Sequence, residues 1–283
     1  MIEIKPVQNL QATITVPGSK SYTNRALLIA GLTDGECRLE KPLVSDDTKY
    51  MIRALKAFGI SVQEEKEAFI VSGRGGKLST PEEDIFIGNA GTTMRFLTTF
   101  SALVPGKTRL DGDERMRQRP LADLLHCLTQ MGVKAVSANG NGCPPIDIAG
   151  GEVPGGEVQL AGDKSSQYLT SILLSAPYFK NDTCIHIQGD LTSKSYADIT
   201  LDIMKTFGVS VINESYQRFK VKAGDRYNAQ TYQVESDWSS ASYFLAAAAV
   251  TGGEVTLTDI NPHSVQGDAQ FTSVLEKMGC RVE

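Results

Sequence analysis

Long apolar runs are missing from this chain. No stretch approaches the roughly 18 apolar residues that a membrane-crossing helix needs. The opening segment, MIEIKPVQNLQATITV, lacks the basic start and apolar core of a signal peptide. Cysteine is sparse: Cys37, Cys127, Cys143, Cys184 and Cys280 make an odd set with no short pairing. That argues against a disulfide framework and for reduced thiols in the cytoplasm. The three histidines, His126, His186 and His263, are scattered and lack metal-ligand spacing. No GxSxG, P-loop or zinc pattern is present. Positive charge is not in excess. The net charge of −5 argues against nucleic acid as the main partner. Low-complexity segments and Pro-rich linkers are absent too.

What is present is repetition. The hydrophobic share of 41% and charged share of 22% over 283 residues fit a soluble globular protein with a sizeable core. Four helix-like runs end at a glycine: LKAFG at Gly59, LTQMG at Gly132, MKTFG at Gly208 and LEKMG at Gly279. The steps are 73, 76 and 71 residues. A second landmark keeps the same beat. Polar turns that open an apolar run begin at Gly18, Gly88, Gly162 and Ser236. Two landmarks in phase define an internal repeat, and a repeat decides the architecture.

Each unit reads β-α-β-α-β-β, an α/β pattern that lays helices against sheets. A short strand enters the polar turn, and a helix follows. A second strand (CRLEK, KTRLDG, TCIHIQG, EVTLTDI) leads through a charged loop to the helix that ends at the counted glycine. The first three units close with FIVSGRG, IDIAGG and FKVKAG, whereas the fourth reaches MGCRVE without a closing strand. An unpaired edge strand leaves backbone groups without partners. The expectation is therefore a three-repeat domain over residues 11–231. Residues 1–10 and 232–283 are expected to form part of a second domain of a longer protein.

The polar turns carry the chemistry. A turn that opens a helix presents free N–H groups and the positive end of the helix dipole, a ready anion site. The first turn supplies Lys20, Ser21, Asn24 and Arg25; the second, Asn89, Gly91, Thr92 and Arg95; the third, Lys164, Ser165, Ser166 and Gln167. Loops before the second helices add Arg115, Arg117 and Arg119 in one unit, and Ser193, Lys194 and Tyr196 in another. Taken singly, such Ser, Thr and Asn residues are simple caps and such arginines solvated charges. Their recurrence at equivalent ends of three units favours a site for a small polyanion. Asp46, Asp47, Asp111, Asp113 and Glu114 are loop acids able to serve as acid or base groups. His126, Tyr168 and Phe244 read as core residues.

The segments PGSKSYTNRALLIAG, GNAGTTMRFL, RMRQRP, GDKSSQYLTSILLSAP, LTSKSYADITLDIMKTFGV and DWSSASYFLAAAAVTGG together resemble the enolpyruvyl transferases, in their shikimate-pathway branch. The resemblance runs from about residue 10 to residue 283. It implies an inside-out α/β barrel of such units, three per domain, with the active site between two domains. It implies transfer of the enolpyruvyl group from phosphoenolpyruvate to the 5-hydroxyl of shikimate 3-phosphate, by a monomer, with no metal or organic cofactor. The alternatives are a fragment that binds substrate without catalysis and the sister enzyme acting on UDP-N-acetylglucosamine.

Carried over motif by motif, the resemblance puts Lys20 between both substrates' charges as the catalytic cation. It puts Ser21, Arg25, Ser165, Ser166, Ser193 and Tyr196 on shikimate 3-phosphate. Gln167 falls between the substrates, and Gly91 and Arg119 on phosphoenolpyruvate. The acids that move protons are implied to lie in the rest of the second domain, so that the isolated 283-residue chain binds without turnover. Phe96 and Ser195 stand where the family often has proline. Phe96 is expected to shift the helix carrying Gly91 and to alter competition by glyphosate.

Overall fold

The structure is a computed structural model that describes residues 7–283; residues 1–6 of the expected second-domain segment lie outside it. The first unit comprises β1 (Gln11–Thr15), α1 (Lys20–Leu32), β2 (Glu36–Glu40), α2 (Asp46–Ala57), β3 (Ser61–Glu64) and β4 (Ala68–Ser72). The second comprises β5 (Ile85–Phe86), α3 (Gly91–Phe100), β6 (Gly106–Asp111), α4 (Ala122–Gln130), β7 (Lys134–Ser137) and β8 (Ile146–Gly150). The third comprises β9 (Gly156–Ala161), α5 (Ser166–Ser175), β10 (Thr183–Gln188), α6 (Lys194–Thr206), β11 (Val211–Glu214) and β12 (Arg218–Val221). The chain continues through β13 (Thr231–Gln233), α7 (Trp238–Thr251), β14 (Glu254–Thr258) and α8 (Phe271–Lys277).

The repeat is visible in the sheets. Their orders are β13-β2-β4-β3, β5-β6-β8-β7 and β9-β10-β12-β11, each with one parallel and two antiparallel pairings. The counted glycines end their helices in the left-handed region, with φ +82° at Gly59, +81° at Gly132, +91° at Gly208 and +94° at Gly279. Any Cβ is strained there, so glycine marks the stop.

One strand is not where the repeat puts it. β1 pairs in parallel with β14, Gln11 opposite Glu254 through Thr15 opposite Thr258. Its expected place in the first sheet is filled by β13, which runs parallel to β2. β1 thus leaves the sheet of the first unit, and the chain passes between the two groups of elements before α1 and after β13. The two connecting segments lie side by side: Ser19 donates to the Glu235 carbonyl at 2.7 Å, and Asp237 to the Pro17 carbonyl at 2.9 Å.

The architecture is inside-out. Helices α1, α3 and α5 are buried on nearly all sides. No polar stripe faces water, as expected of helices at the centre of a fold. Their hydroxyls bond inward: Thr98 to the Met94 carbonyl, and Ser171 to the Arg95 carbonyl and to Thr99. The sheets lie outside and alternate. In β10, Thr183, Ile185 and Ile187 are buried while Cys184 and His186 are half-exposed. A second, small cluster of Val16, Trp238 and Ala241 gathers around β1, α7 and β14. Among the described residues no helix is long and apolar enough to cross a membrane.

Candidate functional site

The starts of α1, α5 and α6 and the first two turns of α3 meet at one cavity of about 290 Å³. Lys20, Ser21, Arg25, Ser165, Ser166, Gln167, Ser193 and Tyr196 all line it, joined by Lys164, Thr92, Phe96 and Thr192. Beside it lies a cavity of about 520 Å³ lined by Arg95, Arg119, Pro120, Asp123 and Tyr168. Lys164, Ser165 and Gln167 line both. Nine of the ten residues that the resemblance puts at the site thus line two adjoining cavities, and the tenth, Gly91, lies against Arg119 and Arg95 of the larger one.

Several of these helix starts are left open. Ser19 before α1, Ala90 before α3 and Ser193 before α6 make no side-chain cap. Ser193 sits in the left-handed region at φ +55°. Away from the cavities α2 has a capping box of Ser45 and Thr48, and Asp237 caps α7 through the Ser240 N–H. Ser165 alone among the cavity residues acts as a cap, accepting from the Gln167 N–H at 3.2 Å. Uncapped N-termini leave N–H groups for an anion.

Arg25 is the strongest single observation. It is 2% exposed, yet no carboxylate lies within ion-pair reach among the described residues. Its guanidinium donates to Thr200 Oγ1 at 2.9 Å, the Ser21 carbonyl at 2.9 Å, the Tyr196 carbonyl at 3.0 Å and Thr170 Oγ1 at 3.3 Å. The same guanidinium lies over the Phe96 ring, 5.3 Å from its centroid. Burial pulls the Arg25 pKa down to about 10, so the group stays charged at neutral pH. A buried charge held only by neutral acceptors is costly unless an anion completes it.

The second cavity repeats the theme. Arg95 is lowered from its usual pKa first by burial, with the neighbouring Arg119 charge adding to the effect. Its Nε is buried without a partner. Arg119 donates to the Asn89 carbonyl at 3.2 Å. Gly91 explains how two guanidinium groups approach the α3 backbone. A Cβ there would lie 2.3 Å from Arg119 Nη1 and 2.8 Å from Arg95 Nη1.

Other expectations separate. Arg117 pairs with Asp111 and Arg115 is exposed, so neither lines a cavity. Lys194 lies over the Tyr216 ring. Asp46 faces Lys49, and Asp113 accepts from the Met116 N–H. None of the five candidate acids lines either cavity; Asp123, unremarked in the sequence, does. It stands in the first turn of α4, four residues past Arg119, and that closeness in the chain is the signal that could have found it. His126 is exposed rather than core, because it points away from the buried row Leu124, Leu125 and Leu128 of α4. Tyr168 is buried as expected and donates to the Pro120 carbonyl at 2.6 Å, while Phe244 is half-buried. Phe96 is fully buried beneath Arg25.

A fold in which three β-α-β-α-β-β units wrap buried helices, with polar, largely uncapped helix starts gathered at one end, is that of an enolpyruvyl transferase. The family model described as EPSP synthase (3-phosphoshikimate 1-carboxyvinyltransferase) matches residues 4–283, and this chain belongs to that family. It is 47% identical over 286 residues to a 3-phosphoshikimate 1-carboxyvinyltransferase of Sulfurovum sp. (strain NBC37-1). It is 42% identical to the one of Pseudoalteromonas translucida (strain TAC 125). Each match covers 100% of this chain and 67% of the relative. The structure is similar to EPSP synthase from Acinetobacter baumannii, with TM-score 0.84 and 26% identity, over 96% of this chain and 60% of that one.

Proposed function

We propose that this chain carries the shikimate 3-phosphate side of an enzyme that transfers the enolpyruvyl group of phosphoenolpyruvate to the 5-hydroxyl of shikimate 3-phosphate. The observation that carries the reading is Arg25, a buried guanidinium without an acid, at the meeting point of uncapped helix starts. The smaller cavity takes shikimate 3-phosphate: Ser165, Ser166 and Ser193 hold its phosphate, and Arg25 with Ser21 and Tyr196 its carboxylate end. The larger cavity takes phosphoenolpyruvate on Arg119, Arg95 and the Gly91 turn. Lys20 and Gln167 stand between the two ligands.

In the reaction the 5-hydroxyl gives up its proton to a base as its oxygen bonds to C2 of phosphoenolpyruvate, while C3 gains a proton from an acid. The tetrahedral intermediate then loses a proton from its C3 methyl, re-forms the C2–C3 double bond and breaks the bond from C2 to the phosphate oxygen, releasing phosphate. Two polyanions brought this close need fixed positive charge, which the arginines and Lys20 supply before the reactants arrive. The chain works in the cytoplasm as a monomer. Residues from Pro17 to Gln233 form one wall of a cleft; β1 and the segment from Glu235 onward form the other. The pairing of β1 with β14 and the separate Trp238 cluster support that division.

A second reading, binding without turnover, is favoured by the cavity lining, in which Asp123 is the single carboxylate among the described residues. Titration calorimetry with shikimate 3-phosphate, with and without phosphoenolpyruvate, followed by a phosphate-release assay, separates the two. Binding with phosphate release supports transfer. Binding alone supports the second reading, and no binding removes both.

A further inference from the structure

Histidine spacing in the sequence gives no metal signal, but the third sheet builds one across strands. Cys184 and His186 alternate along β10 and share its outward face. Parallel pairing places Glu157 of β9 directly beside Cys184. The donor atoms of Glu157, Cys184 and His186 all lie within 4.8 Å of one another. Cys184 Sγ is 3.5 Å from His186 Nε2, which is 3.6 Å from Glu157 Oε2. A tetrahedral zinc, with bonds of about 2.3 Å to sulfur and about 2.05 Å to nitrogen, holds those two donors roughly 3.5 Å apart. The observed spacing matches that edge without movement of the strands.

We propose that Glu157, Cys184 and His186 form a site for a thiophilic divalent cation, zinc in the first place, on the outer face of the third sheet. Thiolate, imidazole and carboxylate are a zinc donor set, and three protein ligands leave the fourth position to water. The site opens to solvent, with the Glu157 side chain 80% exposed and that of His186 38%. Two cations stand on the neighbouring strand β12, where Lys220 is opposite Cys184 and Arg218 opposite His186. Both are engaged by Glu214, Arg218 Nε at 2.6 Å and Lys220 Nζ at 3.0 Å. They are thereby turned toward their own acid. The substrate cavities lie past the ends of the strands, so the bound metal ties β9 to β10 and takes no part in transfer.

The test is titration of the chelator-treated chain with Co²⁺ alone, read optically, followed by Zn²⁺ displacement. The expected result is a thiolate-to-cobalt charge-transfer band that saturates at one equivalent and is abolished by Zn²⁺. Cys184→Ser removes the band. Glu157→Gln, a change at a solvent-exposed side chain that leaves the fold intact, weakens affinity by about 10-fold or more. Cys280→Ser leaves band and affinity unchanged. No band at one equivalent, or a band that survives Cys184→Ser, overturns the assignment.

Discussion

Arginine is used in two ways in this molecule. On the outer sheet faces Arg38, Arg109 and Arg218 each meet a carboxylate: Glu65, Asp147 and Glu214. At the helix ends Arg25, Arg95 and Arg119 meet none among the described residues and are held by backbone carbonyls, hydroxyls and aromatic rings. The outer pairs are solvated and already neutral. In the inner group Arg25 and Arg95 are desolvated, Arg119 is exposed, and the charge of all three is left without an acid among the described residues. Charge that is satisfied within the chain decorates a surface, whereas charge left open and buried selects a ligand.

The largest test of this contrast is Arg25→Met. Loss of a buried charge that meets an anion costs about 3 kcal/mol, so affinity for shikimate 3-phosphate is expected to fall roughly 100-fold in calorimetry. The melting temperature is expected to hold or rise, because a buried charge without a partner gives way to an apolar side chain. The groups left behind keep each other, Thr170 Oγ1 with Thr200 Oγ1 at 2.8 Å and Thr200 with the Tyr196 carbonyl at 2.8 Å. A collapse in stability would mean that Arg25 serves the architecture rather than a ligand.

Gly91→Ala comes next. The new methyl meets first the flexible ends of Arg119 and Arg95, so phosphoenolpyruvate should bind about 10-fold more weakly. Binding of shikimate 3-phosphate alone should be unchanged in the same titration. Equal loss at both ligands would merge the two cavities into one site. Ser165→Ala then removes the one side-chain cap at the cavities and is expected to cost about 1 kcal/mol of stability, read by urea unfolding. It should also weaken shikimate 3-phosphate, which a cap without a ligand role would not do. Smallest of all, Asp147→Asn breaks the Arg109 pair on an exposed strand. Neither melting temperature nor binding should move; a change in either would blur the division between the two classes of arginine.

The sequence made the local rules readable. Glycine at a left-handed stop and a polar turn before an apolar run are short-range signals, and both recur where the helices end and begin. Most residues that line the cavities were readable for the same reason, since they sit at or within a turn or two of a helix start; Asp123, Pro120 and Thr192 carried no such signal. Pairing across the chain was not. Nothing in QATIT tells β1 to leave its own unit for β14, because parallel partners are chosen by tertiary packing rather than by neighbours in the chain. Likewise Arg115, Arg117 and Arg119 look equivalent in RMRQRP. Only the 3₁₀ turn Met116–Gln118 directs Arg119 to the cavity and leaves Arg117 to Asp111.

The exchange of β1 and β13 has a consequence in time. As the chain leaves the ribosome, β2 emerges long before its parallel neighbour, since Arg38 must wait for Thr231. Throughout that interval the first sheet carries a bare edge, which invites pairing with other chains. β1 waits longer still, for Glu254. Such distant closures must meet the entropy of a long loop before any contact rewards it, so the chain is most exposed to wrong partners while it is being made.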